Sequence, residues 1–375
     1  MRINILTKGF LSPTSRGWLF PILKNKARLK ELGINIFFYF KYSEDIKSCD
    51  VVIVESKFVI NDWDVNKSSI FDLLKKLKTN SNKLFYYELN DSTFCWALEA
   101  LPYVDKLLKP FIFKDKNLYC VPYEGNTIIT DYYYKNKIID TYEPLPNESL
   151  KYSPKFVKKE DRDLLYKIQV GFNATFADHS SNSNLWKYDY LNRFNRRFFN
   201  LYSKMLKSIK SFEYINPESK RSKDLSCRIW TDGYSKGIAY HRKQTAKILS
   251  NYISTDKLNR HDYFSEMRNS KIVVSPFGWG ELNVPRDYEV ALSGSILLKP
   301  DISHIDTWPD IFNKNTVVQY KWDLSNLLET VQKVINNYEE YIVYAIKLQD
   351  QYKSYSFGKL GQEKFCNYFI KLMQD

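Results

Sequence analysis

Short, unbroken apolar runs constrain this chain more than any other feature. Ile34–Phe40 is apolar almost throughout, and Val51–Val54 follows a Cys-Asp turn as an uninterrupted β-branched stretch. A strand with one wet face alternates apolar and polar residues, so continuous runs of this length read as strands covered on both faces. Between them lie stretches with helical spacing, Trp18–Leu32 closed by Gly33 and then Ile70–Leu77, with a further strand at Leu84–Glu88. Strands alternating with helices at this interval predict a parallel sheet with helices on both faces.

The same rhythm returns later in the chain. Lys167–Val170, Cys227–Trp230, Ile272–Ser275 and Ile296–Leu298 read as strands, and Tyr188–Ile209, His241–Leu249, Arg286–Leu292, Leu324–Ala345 and Leu360–Met373 as helices. From Cys120 to Tyr142 the aromatic run IITDYYYKNKIIDTY reads as a hairpin. Glu143–Arg162 is polar with three prolines and is the best linker. The expected organisation is α/β, with two Rossmann-like domains, 1–150 and 151–358, facing a central cleft. A last helix, 359–375, carries an apolar stripe of Leu360, Phe365, Phe369, Ile370 and Met373 that needs a partner surface and is placed to cross back to the first domain, with Gly358 as a hinge.

The net charge of +13 is uneven, at +3 over 1–150, +12 over 151–250 and −2 over 251–375. A basic middle attracts phosphates of nucleotides, lipid head groups or nucleic acid, or is simply a solvated face. Five scattered cysteines (Cys49, Cys95, Cys120, Cys227, Cys366) form no CxxC pair, and four histidines leave little for a metal site. Neither a disulfide framework nor a bound metal or cofactor is expected. No apolar run reaches bilayer-spanning length, and the start lacks the layout of a secretory signal, so a reducing cytosol is the expected compartment.

The chemistry concentrates in SPFGWGELNVPRDYEVALSGSILLKPD, Ser275 to Asp301. A strand ends, a Gly-rich loop follows, and Pro285 suits the first turn of a helix. That helix carries Arg286, Glu289 and Ser293 on one face. Ligands of open α/β sheets sit at strand carboxyl ends over helix N-termini, where loop amides suit a diphosphate and a carboxylate can hold ribose hydroxyls. Glu281 and Glu289 stand in the E-x7-E spacing. With the Gly loop, the helix start and KPD, the run resembles the donor site of GT-B glycosyltransferases, in particular a CgeB-like or group 1-type branch of bacterial surface-polysaccharide enzymes. The resemblance is strong over about Ser265 to Tyr320 and only architectural over 1–160. The usual Pro after the helix Gly is absent, with Ser295 followed by Ile-Leu-Leu instead, so the donor sugar does not carry over.

The resemblance implies a nucleotide-sugar donor and a glycan or lipid-linked acceptor, in lipopolysaccharide or capsule synthesis at the anionic inner face of a membrane. Glu289 would hold the ribose, and Glu281 would face the donor sugar or the reacting centre. Backbone around Gly278, Gly280 and Leu282 would approach sugar and phosphates. Arg242 and Lys243, or Lys247 one turn on, would neutralise the leaving diphosphate, unless they form only an exposed helix face. Arg286 and His304 are further donor-side candidates. Asp91 at a strand end is the candidate base. Lys8, Ser15 and Arg16 form the first βα loop near the phosphates, and Asp178 and His179 lie in a loop that meets phosphate or acceptor, or is merely polar. Asp62-Trp-Asp64 reads as capping and turn chemistry rather than a metal motif. The reading of another class is a nucleic-acid or anionic-surface binder with a non-catalytic Rossmann pair.

Overall fold

The computed structural model describes residues 1–59, 62–80, 82–139, 156–177, 179, 213–231, 234, 236–282, 284–356 and 358–374. The strands of the first half are β1 (Arg2–Leu6), β2 (Asn35–Tyr39), β3 (Val51–Glu55), β4 (Lys83–Tyr87), β5 (Lys106–Lys109), β6 (Phe111–Phe113) and β7 (Ile168–Val170). Those of the second half are β8 (Lys223–Ser226), β9 (Ser270–Val274), β10 (Ile296–Pro300), β11 (Ile305–Thr307) and β12 (Val318–Tyr320). The helices are α1 (Pro13–Lys24), α2 (Lys26–Glu31), α3 (Asp62–Val65), α4 (Lys67–Leu77), α5 (Ile128–Lys135), α6 (Lys236–Leu249), α7 (Arg260–Asn269), α8 (Arg286–Ser293), α9 (Leu327–Asn336), α10 (Tyr338–Ser356) and α11 (Gly358–Gln374).

Two parallel sheets result, one ordered β2-β1-β3-β4-β5-β7 and the other β12-β10-β9-β8. All five residues of β3 are buried, as its β-branched run requires of a central strand. β2, which reads as covered on both faces, is instead an edge strand. Its Phe37 is exposed and lies under the Arg2 guanidinium at 4.6 Å. The two parallel sheets, one in each half, match the two Rossmann-like α/β units expected from the sequence.

Three local readings change. Ile168–Val170, which reads as the opening strand of the second half, pairs with β5 and forms the edge of the first sheet. The aromatic run read as a hairpin is the helix α5, because Thr127 caps it by accepting from the Thr130 amide and Ile129 and Tyr133 fall on one buried face. The strand read at Cys227–Trp230 lies a few residues earlier, as β8. Most of the linker, 143–155, and the helical stretch read at Tyr188–Ile209 fall outside the described residues.

The two halves are stitched together. β6 of the first pairs antiparallel with β11 of the second. Asn173 donates from its amide nitrogen to Thr307 and to the Pro309 carbonyl. The last helix, α11, lies on the first sheet, burying Phe365, Cys366, Phe369, Leu372 and Met373 in one core with Ile3, Trp18, Leu23 and Phe172, while Leu360 is exposed. Lys106 Nζ donates to the Leu372 carbonyl at 2.8 Å, and Tyr368 to that of Val170 at 2.9 Å.

Candidate active site

The carboxyl ends of β4 and β9 meet between the halves. Gly280, in the loop after β9, lies flush on the loop after β4: a Cβ there would come within 2.3 Å of the Asp91 carbonyl oxygen, so only glycine fits. The next residue, Glu281, is buried and accepts from the Thr93 amide at 3.0 Å and from the Thr93 hydroxyl. His304 Nε2 stands 3.6 Å from Oε1, the oxygen that accepts from the Thr93 hydroxyl. Burial works against the charge of Glu281, but His304 and Thr93 prevail and hold it below the usual carboxylate range. Glu281 thus turns its carboxylate across the seam to the first half. Leu282 is buried in the second core, and Gly278 is buried beside it.

α8 begins at Arg286, with Pro285 at its N-cap, and ends at Gly294 in the left-handed region (φ 66°). Its start is held by an ion pair at 2.8 Å between Asp287 and Lys299 of β10, both fully buried, with the Ser275 hydroxyl donating to Asp287 at 2.6 Å. Glu289 is also buried. Tyr263 of α7 donates to it at 3.0 Å, and Arg260 lies 3.8 Å away. Burial raises the Glu289 pKa, and Arg260 and Tyr263 oppose the shift. Arg286 donates to the Tyr263 hydroxyl at 3.3 Å, while its buried Nη1 has no hydrogen-bond partner among the described residues.

α6 sorts the three basic candidates by its period. His241, Arg242 and Thr245 face inward, whereas Lys243 and Lys247 are exposed on the far side. Arg242 is 1% exposed. It donates to the carbonyls of Trp230 and Phe277, each at 2.5 Å, and its guanidinium lies 4.3 Å from the Tyr234 ring centre. No carboxylate pairs with it among the described residues. Burial, reinforced by Arg286, lowers its pKa to about 10. Two guanidinium groups therefore converge at the carboxyl end of the second sheet, beside the start of α8. That arrangement offers an anion two positive charges and the Arg286 Nη1 donor.

On the first half, Asp91 lies half-buried in the loop after β4, and its carboxyl group has no hydrogen bond or ion pair among the described residues. Burial raises its pKa to about 6, with Lys57 and Lys109 opposing. The first βα loop is organised around Glu55, which accepts from Thr7 and Ser15 hydroxyls, each at 3.0 Å. Ser15 is thereby committed inside the protein. Arg16 is buried and donates to the Phe10 carbonyl at 3.1 Å, and Lys8 lies 5.3 Å from the Phe58 ring. His179 is buried and stacks on Tyr288 at 4.5 Å. Asp178 and the side chains of Asp62 and Asp64 lie outside the described residues. Thr93 and Tyr263 are absent from the sequence reading, and so is the pairing of Asp287 with Lys299, although both of these residues stand in the Ser275–Asp301 run.

Among the described residues, no group of three or more His, Cys, Asp and Glu side chains could hold a metal ion, and no helix is long and apolar enough to cross a membrane.

No family model matches the chain, and no curated protein does. Among solved structures it is similar to an alpha-glucosyltransferase in complex with UDP and a 13-mer DNA, at 10% identity and a TM-score of 0.40 over 100% of both chains. It is also similar to Alr3699/HepE of Anabaena in complex with UDP and glucose, at 10% identity and a TM-score of 0.40 over 99% of this chain and 100% of that one. S. aureus MnaA with UDP is a third, at 8% identity and a TM-score of 0.41 over 100% of this chain and 98% of that one. Likeness this slight has no bearing on what the chain does.

Proposed function

We propose that this chain is a glycosyltransferase that moves a sugar from a nucleotide-sugar donor to a glycan or lipid-linked acceptor. One observation carries the reading: Arg242 is fully buried, pairs with no described carboxylate, and converges with Arg286 at the carboxyl end of the second sheet. An uncompensated buried cation is costly, so a site that keeps one is built for an anion. The anion that suits the end of an open α/β sheet beside a helix start is the diphosphate of a nucleotide.

The roles follow from placement. The two guanidinium groups take up the charge that develops on the leaving diphosphate. Glu289, reached through Tyr263 and Arg260, offers its carboxylate to the ribose hydroxyls. Asp91 accepts the proton of the acceptor hydroxyl, whose oxygen then bonds to the sugar's anomeric carbon as the bond to the diphosphate oxygen breaks and its electron pair leaves with the diphosphate. Such a displacement inverts the anomeric carbon. Glu281 holds Thr93, and so keeps the loop bearing Asp91 against the Gly loop. The Ser275–Asp301 run supports placement in the CgeB-like or group 1-type branch. The +12 charge of residues 151–250 supports work at an anionic membrane face on a surface-polysaccharide acceptor.

The test is a thermal-shift series with UDP, GDP, CMP and TDP, because a ligand bound only by the native state raises its melting temperature. At least one nucleoside diphosphate should do so. A flat response to all of them, with no saturable binding by calorimetry, would remove the donor site.

A further inference from the structure

The carboxyl ends of the first sheet enclose a cavity of about 110 Å³ that the donor site does not use. Trp18, Leu89, Phe111, Phe172 and Ala177 form its apolar walls, and Val284, just before α8, closes it from the second half. Three strand ends contribute to it, those of β4, β5 and β7, together with the start of α1, the usual place for a ligand in such a sheet. It abuts the donor side through Val284 and through Asp91, which lines it.

Five polar side chains line the wall: Thr14 offers a hydroxyl, Asn90 donates to Glu88 at 2.7 Å, and the remaining three bear most on what the cavity accepts. Asn173 is fully committed: its amide nitrogen donates to Thr307 and to Pro309, and its oxygen accepts from the amide and hydroxyl of Thr175. The other two have capacity left. The Asp91 carboxyl has no partner among the described residues. His179, 3% exposed, places Nε2 at 2.8 Å from the Ala174 carbonyl. A carbonyl oxygen only accepts, so Nε2 carries the proton. Burial holds the ring neutral near pH 7, its pKa lowered to about 4. The other nitrogen, Nδ1, therefore has a lone pair, and it has no hydrogen-bond partner among the described residues. Beside the Thr14 hydroxyl and the Asn90 amide, the cavity thus presents two acceptors and apolar walls that include an indole and two phenyl rings.

From this we infer that the cavity binds one hydroxylated, uncharged six-membered ring of the acceptor, a pyranose, with one hydroxyl donating to His179 Nδ1, another to Asp91, and its C–H face on the aromatic wall. A phosphate or carboxylate is disfavoured because it would meet the Asp91 carboxylate and a neutral ring lone pair, with no Lys or Arg among the lining residues. A bare hydrocarbon would leave both acceptors dry and unpaired. His179 is then a specificity-determining residue that reads a hydroxyl, rather than a phosphate ligand. The inference rests on the glycosyltransferase reading for the ring's role as acceptor.

The experiment is saturation-transfer NMR on the full chain with the methyl pyranosides of glucose, galactose, mannose and N-acetylglucosamine and their monodeoxy analogues. It is run without nucleotide and again with UDP or GDP, beside inorganic phosphate and toluene as contrasting probes. At least one pyranoside should bind, and one of its monodeoxy analogues should bind about tenfold more weakly, the value of one hydrogen bond to a buried acceptor. His179→Phe keeps the stack on Tyr288 and removes Nδ1. It should weaken the parent about tenfold and reduce that deoxy penalty to within about twofold, as a coupled pair does. Should that variant fail to fold by thermal melting, Asp91→Ala, which removes the carboxylate acceptor, provides the same cycle for the second hydroxyl. Binding of phosphate or toluene in place of pyranosides, no pyranoside binding at millimolar concentration in any condition, or a deoxy penalty unchanged in both variants overturns the inference. Pyranoside binding in a protein that binds no nucleotide would sustain the cavity and sink the donor site, and nucleotide binding with no pyranoside would do the reverse.

Discussion

Arg242→Met separates binding from stability. In the native protein this guanidinium is buried, and the fall of its pKa to about 10 corresponds to about 3 kcal/mol against the charged form. Methionine removes that penalty and fills much of the same volume. It also leaves the Trp230 and Phe277 carbonyls without their donor, at about 1 kcal/mol each. The two effects nearly cancel, so unfolding in urea should show a stability within about 1 kcal/mol of the parent, with unchanged slope. Nucleotide binding has no such compensation. Loss of a charge-assisted contact to a diphosphate costs about 1.5–3 kcal/mol, so the Kd of the best nucleoside diphosphate by calorimetry should rise roughly 10- to 150-fold. A variant that binds the nucleotide within about twofold of the parent refutes the anion site. A loss of stability well beyond 3 kcal/mol would show that Arg242 serves the fold.

Asp91→Asn should lower kcat by about 10²–10⁴. In the parent, activity should rise with pH through about 6 as the carboxyl ionises, and the variant should lose that acid limb; a profile with the same limb in both rules Asp91 out as the base. The same raised pKa predicts that Asp91 subtracts from stability as pH climbs from the ordinary carboxyl range to about 6, because the native state holds the proton longer than the unfolded chain. Glu281→Gln offers one acceptor oxygen where Thr93 uses two, so turnover should fall far more than nucleotide affinity; equal losses would place Glu281 on the nucleotide instead. Asp287→Asn leaves Lys299 charged and buried alone and should cost about 3–5 kcal/mol in urea denaturation, most of it recovered when Lys299→Met is added; a loss below 1 kcal/mol contradicts the pairing.

Much of the layout at the second sheet's carboxyl end was legible because its signals are local. The loop after β9, Pro285 and the spacing of Arg286 to Glu289 lie within one short run, and helical period alone separates Arg242 from Lys243 and Lys247 on α6 once the inward face is known. What failed depended on partners far along the chain. Thr93 and Glu281 are 188 residues apart, and nothing near either names the other. Ile168–Val170 has the composition of a strand, but which sheet takes it is decided by β5. Ile128–Lys135 misled because aromatic and β-branched residues favour strands on a pleated surface, a weak preference that the Thr127 cap and one buried helical face override. His179 gave no sign from sequence that its ring would be neutral and stacked, since burial set both.

The return of α11 to the first sheet also bears on how the chain is made. The face formed by Ile3, Trp18, Leu23 and Phe172 is synthesised first, but Phe365, Phe369 and Met373, which cover it, emerge 193 or more residues after Phe172. At roughly 5–20 residues per second, that surface waits about 10–40 s on the ribosome after β7 appears. During that interval an apolar sheet face lies open to other nascent chains. Chaperone binding should therefore peak on truncated chains that end before Gly358 and fall sharply once the final helix is released.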